Sequence, residues 1–132
     1  MALSMYDASV PAFQRSLKAL DAILDKAIAY ADARKFDTAV LVSSRLAPDM
    51  YPFARQVQMA SDHAKGCPAR LAGVAVPSFA DTEGTIPELK GRIAKTLAWA
   101  WNIRWQGLFR DEGNFDHVDK DAMLDAVSTA MT

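Results

Sequence analysis

The stretch SVPAFQRSLKALDAILDKAIAYADAR, residues 9–34, decides the fold. Within it Val10, Phe13, Leu17, Leu20, Leu24, Ala27 and Ala31 recur at steps of three and four, one apolar stripe along a helix. At ~1.5 Å per residue the stretch makes a rod of about 39 Å, ordinary for a helix bundle. Ser9 can cap its start with Pro11 in the first turn, and Ser4, before Met5 and Tyr6, is an equally good cap about a turn earlier.

Further along, Asp37 is placed to cap a short helix from Thr38 to about Arg45, with Pro48 as its stop. Asp49 is expected to cap a second long helix whose stripe is Phe53, Val57, Ala60, Ala64, Cys67 and Leu71, with Gly73 ending it in the left-handed conformation. Pro68 lies inside that helix and predicts a kink near Gly66. Val74 to Gly84 reads as an exposed loop. Thr85-Ile86-Pro87-Glu88 is a capping box that opens a third long helix, marked by Leu89, Ile93, Leu97, Trp101 and Trp105 and ending near Gly107. Arg110 to Thr132 holds two basic residues against six acidic ones. Asp119 or Asp121 can cap a final short helix there. The fold class is all-α: one domain over 1–132, an up-and-down helical bundle with three long helices in 1–106 and an acidic turn and short helix in 107–132.

Composition supports a folded chain and excludes several functions. Of 132 residues, 51% are hydrophobic and 23% charged, which is neither disordered nor low-complexity. A net charge of -1 gives no field to hold nucleic acid or an anionic membrane, so neither is expected as a partner. No apolar run is long enough to span a bilayer. The lone Cys67 excludes an internal disulfide and fits a reducing compartment, so the expected location is cytoplasmic.

Few residues suggest chemistry. His63 and Cys67 stand four apart, so one helical face could offer a nitrogen and a sulfur to a divalent metal, with Gln56 and Asp62 near. Against this, Cys67 lies on an apolar seam where a cysteine is simply a small hydrophobe. A catalytic zinc takes three protein ligands, and His117, the only other histidine, sits in the acidic tail. Asp119 and Asp121, around it, serve as well as helix caps. Arg55 could meet an anionic ligand, although such arginines more often pair with surface carboxylates. Trp101 and Trp105 share a face with which Trp99 does not align, so one tryptophan must leave the seam. Because the closing helix is short, the groove between the long helices needs another cover, and a second copy docked through Trp101, Trp105 and Phe109 is expected to supply it; a small apolar ligand is the other partner expected of such a bundle. No phosphate-cradling glycine loop, serine elbow or paired-histidine motif occurs.

Met5-Tyr6-Asp7-Ala8-Ser9-Val10-Pro11, Arg45-Leu46-Ala47-Pro48-Asp49-Met50, Ala54-Arg55-Gln56-Val57-Gln58 and Ala69-Arg70-Leu71-Ala72-Gly73 resemble, in order and spacing, the family called domain of unknown function 1993. The resemblance covers about residues 3–98 and implies a DinB-like four-helix bundle. Relatives in that superfamily hold a metal with three histidines and include thiol-dependent transferases. By the same resemblance His63 falls where a first metal ligand stands, while the pair expected on the fourth helix has no counterpart apart from His117, and the closing helix is shortened or replaced. Two functions are thus weighed: a non-catalytic dimeric or small-ligand-binding bundle, and a metal- or thiol-dependent enzyme using His63.

Overall fold

A computed structural model describes residues 4–105. Its helices are α1 (Met5–Arg34), α2 (Ala39–Ser43), α3 (Phe53–Ala72) and α4 (Ile86–Trp105). α1, α3 and α4 pack against one another, and α2 lies on α3. Among the described residues every regular element is helical, as expected.

Ser4 settles the start of α1: its side chain accepts the Asp7 amide at 2.9 Å. Ser9 is buried inside the helix instead, its hydroxyl donating to the Met5 carbonyl. Asp37 is not the cap of the short helix: α2 starts at Ala39, with Thr38 at the cap position and no side-chain cap bond, while Asp37 accepts the Ala39 amide at 2.9 Å from one residue further out, and α2 stops at Ser43. Asp49 does not cap α3. The extended residue Pro52 precedes Phe53, the first helical residue, and no side chain caps the start. A proline at 52 disfavours helical backbone at 51, which pushes the start beyond Asp49. Gly73 ends α3 at φ 71°, as predicted, and α3 runs unbroken through Pro68.

Two apolar clusters hold the bundle. Leu17, Leu24, Val42, Val57, Ala64, Ile86, Leu89 and Ile93 form the larger. Tyr6, Val10, Ala100 and Ile103 form the smaller, with Ala72, Val74 and Trp99 against it. The start of α1 therefore meets the ends of both α3 and α4, so α1 is antiparallel to both, and α3 and α4 run parallel. The contact of Ser61 with Thr96 and of Asp25 with Lys90 gives the same register. The bundle class stands, but the link from α3 to α4 is a crossover, not a hairpin. Chain length allows this: the linking residues reach about 40 Å at ~3.3 Å each, more than the ~30 Å of a 20-residue helix.

The seam on α3 is also displaced. Its buried face is Val57, Gln58, Ser61, Ala64, Lys65, Pro68 and Ala69, whereas Leu71 is exposed and Cys67 is half-buried outside both clusters. Polar side chains occupy that face because the crossover, returning beside it, supplies their partners. The short helix and acidic turn expected in 107–132 lie outside the described residues, as do the Gly107 end of α4 and His117.

Candidate functional site

The crossover is not a free loop. It brings Phe79, Ala80, Asp81 and Glu83 onto α3 and α4, where two buried cations wait. Arg92, 3% exposed, projects from the first half of α4 between Leu89 and Ile93. A guanidinium so enclosed must spend its N–H groups on protein acceptors. Its Nε donates to Ser61 Oγ at 3.2 Å, and its Nη2 reaches Asp62 Oδ1 at 2.7 Å. Its Nη1 meets the Ala80 carbonyl at 3.2 Å, Asp81 Oδ1 at 3.0 Å and Glu83 Oε1 at 3.2 Å. Lys65, 4% exposed, pairs with Asp62 at 3.1 Å.

Further contacts tie the same strap to α3. Arg55 Nη1 meets Asp81 Oδ2 at 2.5 Å, and Gln58 Nε2 donates to Glu83 Oε2 at 3.0 Å. The Phe79 ring lies under Lys65 Nζ at 4.2 Å, Lys95 Nζ at 5.4 Å and Arg92 Cζ at 5.9 Å, each within cation–π range. The pattern alternates charge, so burial is tolerated: the carboxylates of Asp62, Asp81 and Glu83 balance Arg55, Lys65 and Arg92. For Asp62, burial would raise the carboxyl, but bonding and charge from Lys65 and Arg92 outweigh it and hold the group below the usual aspartate range. Burial likewise opposes the charge on Arg92, and Glu83 and Asp62 more than restore it.

Between strap and helix lies a cavity of about 390 Å³, lined by Phe79, Ala80, Thr82, Glu83, Glu88, Gly91, Arg92 and Lys95. The capping box fixes one end: Glu88 Oε2 accepts the amides of Gly84 at 2.7 Å and Thr85 at 3.0 Å, and Thr85 Oγ1 accepts the Glu88 amide at 3.4 Å. Those backbone bonds lower the Glu88 carboxyl.

The residues singled out in the sequence lie elsewhere. His63 is exposed and Cys67 half-buried, one turn apart on α3. Gln56 is exposed and donates to the Tyr51 carbonyl, and Arg55 is engaged by Asp81. Trp101 is half-buried, and the side chain of Trp105 lies outside the described residues. None of them lines the cavity. Among the described residues no three His, Cys, Asp or Glu side chains are grouped to hold a metal, so His63 and Cys67 supply two donors and the three-ligand set of a catalytic zinc is not met there. No motif in the sequence marks Lys95 or Phe79, whereas an arginine at 92, beside Ile93 on an apolar stripe, is a readable signal of a buried ion pair.

The family model described as Domain of unknown function (DUF1993) matches residues 5–115. The chain belongs to this family. The match runs past residue 98, where the resemblance in the sequence was expected to stop. The crystal structure of a DinB family member protein from Shewanella denitrificans is similar to this DUF1993 chain with a TM-score of 0.75 and 35% identity, over 96% of this chain and 74% of that one. The DinB-like architecture is thereby shown. No curated protein is significantly similar to the chain. Among the described residues no helix is long and apolar enough to cross a membrane.

Proposed function

We propose that this DUF1993 chain is a small-ligand-binding bundle, with the ligand seated between the crossover and α4. The cavity of about 390 Å³ is the observation that supports this reading. It is within the range of about 300–1,000 Å³ common to small-molecule sites, and it combines an aromatic wall with a few polar groups. Arg92 holds both walls in place before any ligand arrives, which lowers the ordering cost of binding. Gly91 gives the test. No atom lies within 4 Å of a Cβ built there, so a larger side chain has room to enter the cavity without displacing protein. In a ligand-observed NMR screen of small fragments, Gly91→Leu is expected to abolish hits that the unmodified protein gives. Hits that survive the substitution put the ligand elsewhere.

A second reading, a metal- or thiol-dependent enzyme using His63, is supported by the accessibility of His63 beside Cys67. Stoichiometric zinc, nickel or iron in the purified protein, lost in His63→Ala, would favour it. The half-buried Trp101 supports a homodimer formed through α4 and the segment after it. Sedimentation at micromolar concentration tests this, and a single species near 14.4 kDa would contradict it. The lone cysteine supports a cytoplasmic location.

A further inference from the structure

Resting on the ligand-binding reading, we infer that the cavity takes a small monocarboxylate with an apolar body, its carboxylate on Lys95 and its body against Phe79 and the bare backbone at Gly91. The polar side chains of the wall are Thr82, Glu83, Glu88, Arg92 and Lys95. Arg92 is spent on Ser61, Asp62, Ala80, Asp81 and Glu83. Both Glu83 oxygens are taken by Arg92, and one also by Gln58. Glu88 is turned to the amides of Gly84 and Thr85. Lys95 touches the Phe79 ring and has no ion pair among the described residues.

Among the described residues one cation of the wall is therefore without a carboxylate, and it sets the sign of the ligand. The two carboxylates set its magnitude: a second negative charge, as on a phosphate or dicarboxylate, would face Glu83 and Glu88. Glu88, Gly91 and Lys95 are spaced i, i+3 and i+7 on α4, so they share one face, and the glycine leaves open backbone between the charged ends. Phe79 closes the opposite side. An apolar body of one ring lies naturally across that gap while its carboxylate meets the ammonium.

The test is a titration followed by amide spectra, with benzoate as probe and inorganic phosphate and benzylamine as comparisons, on the unmodified protein, Lys95→Met, Lys95→Arg and Gly91→Leu. Benzoate should shift amides at 79–83 and 91–95 saturably. Lys95→Met should weaken it about tenfold or more, the worth of a charge-assisted bond, and Lys95→Arg should retain it. Gly91→Leu should abolish it while the protein stays folded. Preference for phosphate or benzylamine, no benzoate binding where other fragments do bind the cavity, or indifference to Lys95→Met would each overturn the carboxylate assignment. Failure of every fragment to reach the cavity would instead overturn the reading beneath it.

Discussion

The hydroxyls of Ser61 and Thr96 meet at 2.7 Å between α3 and α4, and the proton chain they complete begins and ends on Arg92. Thr96 donates its one proton to the Arg92 carbonyl at 2.9 Å, so Ser61 donates to Thr96 and accepts from Arg92 Nε. The ring locks the arginine to its own helix and to its neighbour. Ser61→Ala leaves the buried Nε–H without an acceptor and should cost about 1–3 kcal/mol in urea unfolding. Thr96→Val acts on the same ring, so the double variant should lose less than the two single losses combined, by about 0.5 kcal/mol or more. Strict additivity would mean that the ring is not a unit.

Arg92→Met should be the most damaging of the changes that free the strap. The carboxylates it orphans differ: the Glu83 side chain is 13% exposed, whereas Asp62 and Asp81 are about 40% exposed and can regain water. The loss therefore belongs at the low end for a broken buried pair, about 3 kcal/mol. Arg55→Met breaks a partly exposed pair and should cost under about 1 kcal/mol. Amide exchange over residues 76–84 should accelerate strongly in the first variant and little in the second. Equal effects would show that the strap is not hung on Arg92.

How far the sequence carried this reading depends on the element. Leu17 and Leu24, Gly73 and the Thr85–Glu88 box placed three helices and two of their ends, because periodicity and caps act within a few residues. The direction of α4 was not legible, since a connection of that length serves a hairpin or a crossover equally. With the direction went the site: Arg92 and Lys65 are buried only because the crossover returns alongside them with Asp81 and Glu83, a pairing made across the fold. Asp49 has the chemistry of a cap, but Pro52, three residues on, bars helical backbone just before it and moves the start of α3 to Phe53.

Acid should loosen the strap through Asp62. Its carboxyl is held below the ordinary value of about 3.9 in the folded chain, so the unfolded chain binds the proton more tightly. The stability this contributes is present above roughly pH 4 and is lost as pH falls toward the folded value. Thermal midpoints measured from about pH 5 down to about pH 2.5 should fall more steeply for the unmodified protein than for Asp62→Asn. Parallel curves would deny Asp62 this role.

Thr85→Ala should cost about 0.5–1 kcal/mol, the lower part of the range for a cap, because the Thr85 bond is long at 3.4 Å and Glu88 still holds the amides of Gly84 and Thr85. Thermal unfolding reads this directly. A loss well above that range would mean that Thr85 carries more than the start of α4.

Gly91 allows the most direct test of the cavity as a ligand site. It lies on an exposed part of α4 with open space above it, so leucine there should keep the fold's stability or raise it by about 0.5–1 kcal/mol of helix preference. The decisive measurement is the thermal midpoint of the unmodified protein and of Gly91→Leu, each with and without a saturating fragment found for the cavity. A ligand seated between the crossover and α4 raises the first midpoint and leaves the second where it was; an equal rise in both would contradict the site.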